Sequence, residues 1–107
     1  MITVYHADNS IIRDSLCFSE DGNVFNRVSA LLNFAEGNYT KVANVDTDDI
    51  DIAYELTNSI DTTWYETMRM TGAGEVFGTT HRSSSVGDIF KIGGDLYIVG
   101  RIGFVEL

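Results

Sequence analysis

The sequence contains no proline, where a chain of this length would ordinarily carry about five. With no ring-locked φ available, its turns must come from ten glycines and from Asp and Asn. There is one cysteine, Cys17, which excludes an internal disulfide and fits a reducing compartment. Placed between Leu16 and Phe18, that cysteine reads as a small buried hydrophobe. Cations are scarce as well. Seven Lys and Arg stand against sixteen Asp and Glu, a net charge of −9, and no cation falls between Lys41 and Arg69. A phosphate-neutralising surface needs clustered Lys and Arg, so nucleic acid is not expected as a partner. An anionic membrane surface would repel the chain, which leaves basic proteins or cations as favoured partners. No apolar run approaches the roughly 20 residues that cross a bilayer. The opening MITVYHADNS has neither a basic n-region nor a long apolar h-region, so no signal peptide is expected and a reducing cytoplasm is the anticipated location.

What is present describes one globular domain, residues 1–107. The chain is 44 % hydrophobic, enough for one core and ordinary for a folded protein. Residues 2–7, rich in β-branched and aromatic side chains, predict a strand with Ile2, Val4 and His6 on one face and Thr3, Tyr5 and Ala7 on the other. A helix follows over about 23–36: Val24, Val28, Leu31, Leu32 and Ala35 fall at helical spacing, Asn23 suits the cap, and Gly37 suits a left-handed stop. Residues 39–45 alternate as a second strand. In the next helix Asp46 or Thr47 serves as cap, Asp48 and Asp49 occupy the first turn, and Ile50, Ala53, Leu56, Thr57 and Ile60 form the buried stripe.

The stretch TTWYETMRM predicts a short strand or turn anchored by Trp64, and TGAGEVFGTTHRSSS reads as a loop. Two C-terminal strands flank Gly93-Gly94, a pair suited to a type I′ hairpin, and Gly100 and Gly103 suggest a bulge or close backbone contact before a last strand. The expected fold is α+β: two helices packed on a small, mainly antiparallel sheet with a C-terminal β-meander. Trp64, Leu56, Ile60, Val86, Ile89, Ile98 and Phe104 are expected to share one core.

The segment HRSSSVGD holds the letters of a hydrolytic triad in His81, Ser83 to Ser85 and Asp88. Known triads are assembled from distant segments, and no Gly-x-Ser-x-Gly elbow is present. A phosphate loop also fails, because no Gly-Lys-Ser/Thr opens a helix. The favoured reading is structural: the serines bond the loop backbone, Gly87 permits the bend, and Asp88 caps the turn before Ile89. The run DTDDID invites a calcium reading, but an EF-hand begun at Asp46 needs an oxygen ligand at 50, glycine at 51 and glutamate at 57, where the chain has Ile50, Asp51 and Thr57. His6, His81 and Cys17 have no zinc spacing. No metal, cofactor or catalytic residue is therefore expected.

In the C-terminal half, Leu56-Thr57-Asn58, Trp64, Arg82-Ser83-x-Ser85-Val86-Gly87-Asp88 and Gly103-Phe104-x-Glu106-Leu107 together resemble a group of short proteins from phages, plasmids and bacterial mobile elements. They are similar, more loosely, to the tail of YodL-like domains. The resemblance covers about residues 42–107. It implies a phage or mobile-element accessory protein, with these motif residues joining loop to sheet, Arg82 paired to a carboxylate or helix C-terminus, and Trp64 packed nearby.

The resulting functional expectation is a non-enzymatic protein that binds and modulates a host or phage protein with a basic surface. Asp48, Asp51 and Glu55, spaced as one helical ridge with Asp49 beside it, are the candidate contact and a candidate stand-in for nucleic-acid phosphates. The rival expectations are an enzyme or small-ligand binder using the His81–Ser85 loop with His81 or His6, and a minor virion or assembly component.

Overall fold

A computed structural model describes residues 1–9, 12, 14–20, 26–58, 63–79 and 81–107. Its elements run β1 (Ile2–Ala7), α1 (Arg27–Ala35), β2 (Tyr39–Val45), α2 (Ile50–Thr57), α3 (Trp64–Thr71), β3 (Gly74–Val76), β4 (Ile89–Ile92), β5 (Asp95–Val99) and β6 (Phe104–Glu106). The six strands form one antiparallel sheet in the order β3-β2-β1-β4-β5-β6, with β1 in its interior and three-residue strands at both edges. The α+β expectation holds, and the elements above include a helix, α3, where the sequence predicted a strand or turn.

The alternation read in β1 is what builds two cores. Ile2 and Val4 point to the side covered by α2 and α3, where they meet Val42, Val45, Ala53, Trp64, Met68 and Phe90. Ala7 points to the other side, with Leu16, Ala30, Tyr39, Ile89, Ile98 and Val105. Opposite Val4/Tyr5 the register of β2 skips from Ala43 to Lys41, a bulge that lets Val42 and Ala43 join the same core. Each fully buried side chain such as Ile2 or Phe90 contributes about 1.5–3 kcal/mol. The single shared core expected for Trp64, Ile89 and Ile98 is therefore corrected: the sheet separates Trp64 from Ile89 and Ile98. Val86 and Phe104 pack on the Trp64 side, and Leu56 is 37 % exposed.

Other expectations change at their boundaries. Asn26 caps α1, its side chain accepting from the Ser29 amide; Asn23 and Val24 lie outside the described residues, as does Ile60. Gly37 does take a positive φ of 81° after α1. Val28, Leu31 and Leu32 face outward, because the sheet beneath α1 is already filled and the helix seats on it through Ala30 and Phe34. Cys17 is exposed with φ 51°, while its neighbour Leu16 takes the core position.

Residues 64–71 are a helix rather than a strand or turn. Trp64 and Met68 share the buried face at i, i+4, Glu66 lies in the first turn, Arg69 in the last, and Gly72 closes it. Part of the expected 71–85 loop is β3, held by backbone pairing to Ala43–Val45. The β4–β5 hairpin forms where expected, but only Gly93 of the glycine pair has positive φ, so the turn is not type I′. Gly100 and Gly103 close a tight β5–β6 turn through a 2.8 Å backbone hydrogen bond.

Candidate functional site

The 81–88 segment crosses the end of β1 and ties it to α2 and β4. Asp88 is fully buried, and its two carboxylate oxygens are saturated. Arg82 donates to both, Nη1 to Oδ2 and Nη2 to Oδ1, each at 2.7 Å. The Ala7 amide donates to Oδ1 at 2.9 Å and the Ser85 amide to Oδ2 at 2.8 Å. Four donors match the four lone-pair sites of a carboxylate. The guanidinium pKa is raised above its ordinary value, first by the hydrogen bond to Asp88, with burial working against it. Arg82 also donates to the Ala7 carbonyl at 2.9 Å, and its own carbonyl accepts from the Trp64 indole N–H at 2.8 Å. The expected pairing of Arg82 with a carboxylate and its proximity to Trp64 are both seen. Asp88 does more than the turn capping read from the sequence, since it holds the loop to β1.

Gly87, with φ 95°, accepts from the Tyr39 hydroxyl at 2.7 Å and donates to the Val99 carbonyl at 2.9 Å. Of the other motif residues, Ser85 sits against the Asp88 carboxylate and Ser83 accepts from Arg82 through its carbonyl. Gly103 makes the β5–β6 turn at φ 73°, and Phe104 meets Tyr54 edge-on at 5.8 Å. Trp64, Arg82, Ser83, Ser85 and Asp88 are thus linked directly, while Gly103 and Phe104 lie at the β5–β6 turn.

The histidine that meets a serine is His6, not His81. His6 Nε2 lies 2.9 Å from Ser84 Oγ, inside the protein. One assignment of protons satisfies every bond in this chain. Thr57 donates its only hydroxyl proton to the Ala53 carbonyl at 2.9 Å, so Ser84 must donate its own to Thr57 Oγ1 at 2.8 Å. His6 Nε2–H then donates to Ser84, and the imidazole lone pair on that nitrogen is absent. A general base needs that lone pair to take the serine proton. Ser84 is also fully buried. The arrangement ties β1, α2 and the 81–88 loop together. His81 stacks on Trp64 at 5.7 Å and 26° and bonds the Phe77 carbonyl through Nε2. A shallow cleft of about 250 Å³ opens beside His6, His81 and Arg82, and the buried Ser84 does not line it.

The acidic segment is arranged differently from the expected ridge. The helix starts at Ile50, so Asp48 and Asp49 precede it instead of filling its first turn. Asp49 is the cap, accepting from the amides of Asp51 at 3.0 Å and Ile52 at 3.4 Å. Asp48 is bound by the Met1 ammonium at 2.9 Å. Asp51 and Glu55 remain as the exposed carboxylates of α2, with Ile52 and Leu56, 45 % and 37 % exposed, on the ridge beside them. Next to Asp51 a cleft of about 260 Å³ reaches under the β5–β6 turn, floored by Tyr54, Val99 and Phe104. Arg101 also lines it, but its guanidinium lies over the Phe18 ring at 5.9 Å. The larger cleft of about 420 Å³ is lined by Asp14, Cys17, Phe18, Val86 and Arg101.

Among the described residues no three His, Cys, Asp or Glu side chains gather as a metal-binding group, and no helix is long and apolar enough to cross a membrane. The exposed apolar pair on α2 had a sequence signal: Ile52 and Leu56 repeat at i, i+4 one position beyond Asp51 and Glu55. The His6–Ser84–Thr57 chain had none, since its partners are 78 and 27 residues apart. No protein-family model, curated protein or solved structure matches the chain.

Proposed function

We propose that the protein is a non-enzymatic binding protein that docks a basic protein surface on the outward face of α2. The observation that carries this reading is the pairing, on one exposed helix, of the carboxylates Asp51 and Glu55 with the apolar side chains Ile52 and Leu56. Carboxylates alone describe a solvated surface; apolar side chains left in water beside them describe a contact. The neighbouring cleft supplies an anchor point. Its floor of Tyr54 and Phe104 rings, with Asp51 at the rim, suits an Arg or Lys side chain, which gains a cation–π contact and an ion pair together. The saturated Asp88 and the His6 proton direction weigh against the hydrolytic alternative. The resemblance in the C-terminal half adds a context, a phage or mobile-element accessory protein modulating a host protein in a bacterial cytoplasm. A host surface that otherwise meets nucleic-acid phosphates would here meet carboxylates.

The test is enrichment of a partner from bacterial lysate at low salt, followed by kinetics with the purified pair. Asp51→Asn with Glu55→Gln should slow association several-fold and flatten its salt dependence, whereas Ile52→Ala with Leu56→Ala should chiefly speed dissociation. A partner whose binding ignores salt and both double substitutions overturns the reading, as does the absence of any partner.

A further inference from the structure

The outward face of α1 carries Val28, Leu31, Leu32 and Ala35, spaced i, i+3, i+4 and i+7, so that they form one stripe along a nine-residue helix. Val28 is 67 %, Leu31 40 % and Leu32 54 % exposed, and Ala35 is exposed too. The helix does not need this face to hold the sheet. Its inner side already seats Ala30 in the core, and Phe34 meets Tyr5 edge-on at 4.8 Å. A contiguous aliphatic stripe in water marks an interface.

Charge decides what covers it. Residues 22–35 are the longest stretch without Asp or Glu, and Arg27 is its one charged residue. A basic partner finds no carboxylate here, and an acidic partner finds a single cation. A second copy of a molecule carrying −9 is repelled over most of its surface, and this face is where two copies meet without opposing carboxylates. The stripe is also self-complementary, since Leu31 and Leu32 lie at its middle and a twofold axis between them packs each against its symmetry mate. We infer that the protein self-associates as a twofold dimer, α1 against α1. A helix about 13.5 Å long covers less than the roughly 800 Å² per partner of a standard interface, so the dimer is weak and concentration-dependent.

Sedimentation of the full chain from micromolar to millimolar concentration tests this. The mass should rise from 11.8 kDa toward twice that value, and added salt should strengthen association by screening the like charges. That sign is opposite to the one expected for a basic partner on α2, so the two readings fail separately. Leu32→Glu should weaken association at least tenfold while leaving the melting temperature at dilute concentration unchanged. The milder Leu31→Ser should weaken it in the same direction, and Asp51→Asn should not weaken it. A monomer at every concentration and salt, a dimer untouched by both leucine substitutions, or association weakened by salt overturns the inference.

Discussion

At Arg82 and Ser84 two neighbours do similar jobs at unequal cost. Arg82→Ala leaves the fully buried Asp88 carboxylate with two backbone amides and, at 3.9 Å, His6 Nε2. Removing one member of a buried pair costs about 3–5 kcal/mol, and Arg82, whose side chain is 36 % exposed, belongs at the lower end, about 3 kcal/mol. Ser84→Ala removes one hydrogen-bond partner each from His6 Nε2 and Thr57 Oγ1 and takes away no charge, at about 1–3 kcal/mol. The less buried residue is therefore expected to be the more damaging one to lose, as urea unfolding of the two variants will read. Arg82→Lys should recover only part, since an ammonium does not reproduce the two-pronged contact. The pH sign is set by the guanidinium. Its pKa is raised in the folded state, so its contribution is fully present below the ordinary guanidinium value and is lost only as pH climbs through the folded one. The wild-type advantage over Arg82→Ala should thus not erode from neutral pH through mild alkali; erosion there would show that the pair is not the source of the difference.

Edge strand β3 owes its place to an absence of side chain. A Cβ at Gly74 would lie 2.2 Å from the Asn44 carbonyl oxygen and 3.0 Å from Val45 Cα, both backbone. No rotamer change relieves such a clash, so Gly74→Ala should part β3 from β2 and expose the amides of β2 to hydrogen exchange. Gly94→Ala is the control, with nothing within 4 Å and no positive φ. It should leave exchange and melting temperature nearly unchanged, and equal effects from both would remove the steric account. The same strand shows why parts of the fold were hard to read. β1, β2 and the β4–β5 hairpin announced themselves through alternation and turn residues, the local features that decide them. β3 is three residues paired through backbone, which side-chain periodicity does not encode. The helix from Trp64 to Thr71 opens on Thr, Trp and Tyr, whose strand preference masked the Trp64/Met68 repeat. In α1 the periodicity was read correctly and its direction was not, because two faces of that helix are apolar and only the tertiary contact says which goes inward. Arg82 was legible as a cation awaiting a carboxylate; that the carboxylate is Asp88, six residues on, was not.

Across the whole molecule the strand order matters in time as well as in space. β1 lies between β2 and β4, and its pairing with β4 brings Ile2 to Ile92 and Tyr5 to Ile89. A nascent chain thus makes its central strand ahead of both flanking strands, and that strand waits until β4 is made for its second neighbour. Such distant pairings carry the loop-closure penalty before any packing rewards it, and they place folding in the slow millisecond-to-second class of sheet-dominated domains. Stopped-flow refolding should fall in that window, and a chain shortened to residues 1–87 should show no cooperative unfolding. Until the last hairpin docks, half of β1 is an unpaired edge lined with Ile2, Val4 and Tyr5, so the interval between translation and closure is when this protein most needs a chaperone or a low local concentration.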